Sequence, residues 1–422
     1  MSVDSRAFRS LLEDIEVALG CKCVVRREGG SEGVKKFWLP MFGRYVEFSR
    51  LVGFSELEKR VIFRVMEVYK KMNPEEASGI DKDYLNSLVV NNAMDVAIAT
   101  FLSGSQNFIN IFSLIQCMKT LSYERYEGES VRAGVVVRRG NSPLGDYENY
   151  DFDAKFVSFI LKDKKNKLKT IRISEKVVKD TSFFRYVDGV DSFFVCDTNL
   201  DVVGYYNVVA NRKNVFDRLT GQSVIEVMDN VRDCLFYICV NSSSEVEIFK
   251  SNKSRFVYRK GKWRIFDNRV IDGCFGVSND FSPWKMMYSL SKIRRGTVFV
   301  VTRNLGKIKK DGFIKKHIDG GNGVLDVILK NMKKKSVIDV CDSGELMRIL
   351  TTDGMTLIKK GFTKLLDVNV IVNTSKSPKG EIGGGGRSTA ALAASVYGVS
   401  AKVSEDGPIS IFKNGKCIYS VG

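Results

Sequence analysis

The sequence predicts an α+β multidomain chain that ends in an α/β domain with a mixed sheet flanked by helices. The expected boundaries are a helical segment over 1–125, a strand-rich α+β domain over 126–282, and the α/β domain over 283–422. Three observations carry this. The 422 residues exceed what one hydrophobic core usually absorbs. The apolar pattern changes from helical steps to short β-branched and aromatic runs near residue 126, then to alternating helix and strand after residue 283. Composition is that of a globular protein, 44% hydrophobic and 27% charged, and only 6 prolines leave little room for extended linkers.

In the first segment, Phe54 to Met72 repeats apolar residues at three- and four-residue steps, and Ser55 with Glu58 forms a capping box. Tyr84 to Leu121 supplies at least one longer helix. In the second, runs such as VRAGVVVRR, SFFVCD, VVGYYNVV and RFVYRKGKWRIF read as strands, with a helix near 221–232 and a hairpin turn at Lys260–Lys262. The third begins after a loop near Ser282. Helix Trp284–Ile293, strand Thr297–Thr302, a basic loop from Lys307 to Gly323, helix Val324–Met332, strand Ser336–Val340 and helix Glu345–Leu350 follow in turn. Strands Met355–Lys359 and Leu366–Val372, a glycine-rich loop, helix Ser388–Val396 and a final pair of strands complete it. Asn414-Gly415 between two apolar runs is a type I′ hairpin signal.

Several chemistries are excluded at once. A single histidine, His317, rules out histidine pairs and Ser-His-Asp triads, and argues against structural zinc. Nine cysteines without a CxxC pair read as reduced thiols of a cytoplasmic protein. No stretch approaches the roughly 20 apolar residues of a membrane helix, and the first ten residues lack a signal-peptide core. The net charge is +17, and residues 283–422 carry 24 Lys and Arg against 11 Asp and Glu. A field of that sign suits nucleotides, nucleic acid or acidic lipid, or is a well-solvated surface.

Three motifs in the last third have both a chemical and a plain reading. Gly383 to Gly386, followed by Arg387, Ser388, Thr389 and an alanine-rich helix, place backbone amides and a helix N-terminus where a phosphate could sit; they also suit a surface loop ending at an ordinary cap. Asp353-Gly354 could hold a divalent metal or take a ribose proton, or be a turn pair. Ser404-Glu405-Asp406-Gly407 could bind phosphate and metal, or close a hairpin.

In their order and spacing, these motifs resemble the diadenylate cyclase (DAC) domain family. YSLSKIRRGTVFVVTRN looks like that family's first helix and strand, and SGELMRILTTDGMTLIK like the segment ending in its Asp-Gly-Ala motif. GGGGRSTAALAAS falls where the family has Gly-Thr-Arg-His-Arg-Ala-Ala, and KVSEDGPISIFKNGK is similar to its Val-Ser-Glu-Glu-x-Gly strand and closing hairpin. The resemblance covers residues 283–422 and says nothing of those before. It implies a helix-flanked sheet holding one ATP, with cyclases joining two ATP across a head-to-head dimer using Mg2+ or Mn2+. Asp353 would then be the catalytic and metal-binding carboxylate, with Glu405 the second metal ligand. Gly354, Met355, Gly384, Gly385, Gly386, Arg387, Ser388, Thr389, Ser404 and Glu405 would line the nucleotide.

The departures from the family fall on its cations. Arg-His-Arg reads Arg387-Ser388-Thr389, Asp-Gly-Ala reads Asp353-Gly354-Met355, and the residue before the aspartate is Thr352 instead of His. Fewer cations weaken stabilisation of a pyrophosphate leaving group, which phosphoryl-type transfer needs most. Lys309, Lys310, Lys315 and Lys316 could return some charge. The expectation is a cytoplasmic sensor of a nucleotide or cyclic (oligo)nucleotide, like the degenerate DAC-like proteins (DACNV type) of bacterial signalling and phage-defence systems. It leaves room for a homodimer or higher oligomer and involves no membrane. The alternative is an active cyclase making cyclic di-AMP and pyrophosphate from two ATP. A nucleic-acid module using the aromatic and basic run Arg255–Arg264 ranks below both, because a hairpin with core-facing aromatics accounts for the same pattern.

Overall fold

The computed structural model describes residues 6–71, 82–104, 107–139, 154–158, 171–174, 181–208, 215–221, 224–225, 228, 233–251, 254–277, 281–303, 305–310, 314–316, 327, 330–332, 335–342, 344–374 and 385–422. They form a mixed α and β structure of two compact units. One comprises 1–49, 54–211 and 221–267; the other comprises 50–53, 212–220 and 268–422.

In the first unit, helix α1 (Arg6–Leu19) precedes a three-stranded antiparallel sheet of order β1-β3-β2, made of Lys22–Arg26, Lys36–Met41 (β2) and Arg44–Ser49 (β3). Helices α2 (Glu56–Lys71), α3 (Lys82–Ser103) and α4 (Phe108–Leu121) follow. The capping box read from sequence is present: Ser55 N donates to Glu58 Oε2 at 2.7 Å, and Glu58 N donates to Ser55 Oγ at 3.2 Å. After a small hairpin of β4 (Arg125–Tyr126) and β5 (Glu129–Ser130) comes a nine-stranded sheet. Its strands are β6 (Ala133–Arg138), β7 (Ala154–Ser158), β8 (Ile171–Arg172), β9 (Ser192–Cys196), β10 (Asp201–Val208), β11 (Cys234–Val240), β12 (Val246–Ser251), β13 (Ser254–Arg259) and β14 (Lys262–Asp267).

The order is β14-β13-β12-β11-β6-β9-β10-β7, with β8 on β10; only β6 and β9 pair in parallel. The β13–β14 hairpin turns at Lys260 and Gly261, both at positive φ, as the two-residue turn requires. Its aromatics face inward: Phe256 and Trp263 are buried in a cluster that also contains Phe8, Val65, Ile98 and Leu114. The N-terminal helices and the large sheet thus share one apolar core. Of the helix expected near 221–232, residues 221, 224–225 and 228 are described; Gly221 is a turn residue at positive φ, and the other three are helical.

The second unit is built on a seven-stranded mixed sheet. Its strands are β15 (Thr297–Thr302), β16 (Ile314–Lys316), β17 (Met355–Lys359), β18 (Leu365–Val372), β19 (Gly398–Val403), β20 (Ile409–Lys413) and β21 (Lys416–Val421). They run in the order β16-β18-β17-β15-β19-β20-β21, with β15 and β17 parallel and every other pair antiparallel. Alternation along β15 separates two covered faces. Val298 and Val300 join Met355, Leu357 and Leu392 beneath helix Gly386–Ala394. Phe299 instead packs with Phe275 of helix Asn268–Phe275 and with Phe362, at ring separations of 5.8 and 6.3 Å. Helix Pro283–Lys292 begins against Asp272, whose carboxylate accepts from Trp284 N at 2.8 Å and Ser282 Oγ at 2.6 Å.

Three expectations are corrected here. Ser336–Val340 is no strand: Val337–Asp342 is a helix, started by Ser336 N donating to Asp339 Oδ2 and Asp339 N donating to Ser336 Oγ, each at 3.1 Å. The reciprocal cap satisfies two orphan helix donors, and the alternating apolar residues of SVIDV do not override it. Lys307–Gly323 is no continuous loop, since helix Leu305–Lys310 runs into it and β16 lies within it. The closing pair of strands is three, β20 and β21 joining β19, with the last hairpin at Asn414-Gly415, both at positive φ. Most of the helix expected over 324–332, together with His317, lies outside the described residues.

Candidate functional site

Strand register gathers the three motifs at one end of the second sheet. Val298 of β15 lies opposite Met355 of β17, and Thr297 lies opposite Val403 of β19. Continued by one or two residues, that register sets Gly296 level with Asp353 on one side and Ser404 on the other, on strands roughly 4.8 Å apart. Helix Gly386–Ala394 starts at this same end. Arg387 Nη1 donates to Glu405 Oε1 at 2.7 Å, and Lys402 Nζ donates to Ser388 Oγ at 2.6 Å.

Each piece has a local cause. Gly385 is the residue before the helix, with Ser388 N and Thr389 N donating to its carbonyl at 2.9 and 3.4 Å, and no side chain caps the helix start. The helix thus begins two residues before the expected Ser388. Gly354 has φ of +86°, and a Cβ there would lie 2.9 Å from the carbonyl carbon of Asn369, itself at φ +55° on β18. This close approach fixes the turn into β17 and leaves Asp353 exposed, its Oδ1 accepting from Gly354 N at 3.1 Å. Met355 is buried in the apolar cluster with Val298 and Leu357. Ser404 closes the β19–β20 turn, its amide donating to Pro408 O at 2.8 Å and its carbonyl accepting from Gly407 N at 2.9 Å.

Sequence reading missed Gly296, Lys402 and Arg294. A Cβ on Gly296 would strike the Arg387 guanidinium, at 2.7 Å from Cζ, and would lie 3.1 Å from Glu405 Cγ. Lys402 is the one charged residue in the otherwise small and apolar GVSAKV, which was its signal. Arg294 Nη1 donates to Asp406 O across the turn after β19. The end of the sheet therefore holds three cations, Arg294, Arg387 and Lys402, beside the carboxylates Asp353, Glu405 and Asp406. Gly383 and Gly384 lie outside the described residues, as do the side chains of Lys309, Lys310, Lys315 and Lys316.

The Arg387–Glu405 pair is half exposed, its side chains at 45% and 66%, so solvent screens it and it is worth roughly 0–1 kcal/mol. An incoming phosphate can take Arg387 from Glu405 at small cost and free the carboxylate. Among the described residues no group of three or more His, Cys, Asp or Glu side chains is placed to hold a metal ion. A Mg2+ arriving on a nucleotide would need one or two carboxylates besides the phosphates, and Asp353 and Glu405 are the residues at this end that would supply them.

No known protein-family model matches the chain, and no curated protein is similar to it. Among the described residues no helix is long and apolar enough to cross a membrane. Several solved structures are similar to parts of the chain, among them the following two. A hypothetical membrane spanning protein from Bacillus cereus shares 21% identity over 32% of this chain, with a TM-score of 0.23, and the chain spans 59% of that protein's length. A double mutant of DacA from Staphylococcus aureus shares 20% identity over 33% of this chain and 83% of its own, with a TM-score of 0.24.

Proposed function

We propose that the C-terminal unit is a nucleotide-binding sensor, a DAC-like domain that has kept a phosphate pocket while losing much of the catalytic charge. The observation that carries this reading is the convergence of Gly296, Arg387, Ser388, Lys402 and Glu405 at the sheet end where Asp353-Gly354 enters β17. In this reading Arg387 exchanges Glu405 for a ligand phosphate, and Lys402 with the Ser388 hydroxyl holds a second phosphate oxygen. The amides of the first helical turn face the same charge. Asp353 and Glu405 take the Mg2+ or Mn2+ that accompanies the nucleotide. Lys402 supplies part of the charge that Ser388 and Thr389, in place of histidine and arginine, do not. The bound state would be passed on within a bacterial signalling or phage-defence system.

The test is incubation of the purified protein with ATP, GTP and their mixture, each with Mg2+ or Mn2+, with products separated by chromatography and mass spectrometry. Melting curves with linear and cyclic nucleotides are recorded in parallel. The expected result is no product, a nucleotide-dependent rise in Tm, and loss of affinity by about tenfold or more in Arg387→Ala and Lys402→Met, each of which removes a charge-assisted bond. A cyclic dinucleotide product that vanishes in Asp353→Asn would replace the sensor with an active cyclase. No ligand that shifts Tm would leave the sensor without a basis.

A further inference from the structure

A cavity of about 630 Å3 opens in the N-terminal unit, far in sequence from the DAC-like motifs, between β2, one face of α2, the end of α3 and Lys250 of β12. Its size falls within the roughly 300–1,000 Å3 of small-molecule sites. Two kinds of side chain line it. Trp38, Phe63 and Phe101 offer aromatic surface, and Phe63 is 53% exposed at the mouth although its neighbours Ile62 and Val65 on α2 are buried. Cations line it as well, with Glu32 as the carboxylate of the lining.

These cations are not equivalent. Lys59 and Arg64 already pair along α2, with Glu56 at 3.4 Å and Glu67 at 2.6 Å. Arg60 and Lys250 make no ion pair among the described residues. Lys250 is held in place, its Nζ donating to Phe101 O at 2.8 Å and lying 4.4 Å from the Phe101 ring. Burial, then the nearby Arg139 and Arg60, push its ammonium below the ordinary lysine value. Arg60 and Lys250 thus bring two cations to one partly desolvated cavity, and an anion there offsets their mutual repulsion. Inorganic phosphate would leave Phe63 uncovered, and a neutral aromatic ligand would leave the charges uncompensated. A ligand carrying both a flat ring and phosphate satisfies both.

We propose that this cavity is a second nucleotide site, independent of the C-terminal one, with phosphate on Arg60 and Lys250 and the base against Trp38 and Phe63. The experiment uses the full chain carrying Arg387→Ala and Lys402→Met, so that binding at the C-terminal unit is suppressed. Radiolabelled ATP and GTP are titrated by equilibrium dialysis while tryptophan emission is followed. One saturable equivalent of at least one of them is expected in that background, with a change in emission that Trp38→Phe abolishes. Arg60→Ala with Lys250→Gln, in which the amide can still donate to Phe101 O, should weaken it about tenfold or more. Phe63→Ala should weaken it by about fivefold or more. Tripolyphosphate and adenosine should each bind at least about tenfold more weakly than ATP.

No saturable equivalent in this background overturns the proposal. So does binding that ignores Arg60→Ala with Lys250→Gln, tripolyphosphate that binds as well as ATP, or a single-stranded oligonucleotide that displaces ATP at lower concentration. Failure of the C-terminal reading would appear separately, as an unchanged stoichiometry between the wild-type chain and the Arg387→Ala, Lys402→Met background.

Discussion

Asp95 illustrates how a single buried charge is made tolerable. It is 2% exposed, and three donors surround its carboxylate: Trp263 Nε1 at 2.6 Å on Oδ1, with Gln116 Nε2 at 2.8 Å and Lys119 Nζ at 2.7 Å on Oδ2. Lys119 also lies 4.0 Å from the Tyr258 ring, whose hydroxyl burial pushes above the ordinary phenol value. The carboxylate ties α3 to α4 and to the β13–β14 hairpin. Asp95→Ala strands a lysine and an indole N–H at a largely dry site, and should cost about 3–5 kcal/mol in urea unfolding. A loss under 1 kcal/mol would mean that the network is not closed as the contacts imply. Arg387 and Glu405 form the opposite case, a pair so exposed that its value lies in being exchangeable.

At the scale of elements, caps and turns decided more than propensity did. Ser55 and Glu58 start α2 as the sequence states, and the same device at Ser336 and Asp339 turned an expected strand into a helix. The Ser336 hydrogen bonds, with Lys335 nearby, hold the Asp339 carboxyl below its ordinary value of 3.8. A group whose folded value is depressed contributes stability above the unfolded value and loses it as pH falls through the folded one. The stability difference between the wild type and Asp339→Asn should therefore be full at neutral pH and shrink as pH falls below about 3.8, measured by urea midpoints. A difference that stays constant down to pH 2 would remove the carboxylate from the cap. Hairpins were equally legible: Lys260-Gly261 and Asn414-Gly415 both take positive φ. The β17 entry was not, because Gly354 is required by its approach to Asn369 on the next strand, a contact between residues 15 positions apart.

For the whole molecule, charge and core are distributed differently. Residues 283–422 hold most of the +17 net charge, whereas the described residues divide into two units with separate apolar clusters. A basic field steers anions over about a Debye length, which is roughly 10 Å at 0.1 M salt and 3 Å at 1 M. Raising salt from 0.1 to 1 M should therefore slow ATP association in stopped flow, while Arg387→Ala acts mainly on dissociation. Association that ignores salt would confine the attraction to the site's own cations.

What the sequence alone determined was what is encoded within a few residues: the α2 cap, the two-residue hairpins, the inward aromatics of β13 and β14, strand β17 and helix Glu345–Leu350 with their bounds, and the exclusion of histidine chemistry. Asp353, Arg387, Ser404 and Glu405 were nameable as candidates because glycine and turn patterns mark them locally. Their assembly was decided by strand pairing, since only the register of β15 with β17 and β19 brings residues more than a hundred positions apart to one end of a sheet. Gly296 and Lys402 acquire meaning from that same register, because a glycine or a lysine by itself states nothing about what stands across the next strand. The cavity around Arg60 and Lys250 is likewise tertiary. Residues of β2, α2, α3 and β12 meet only through packing, which is not written in the order of residues.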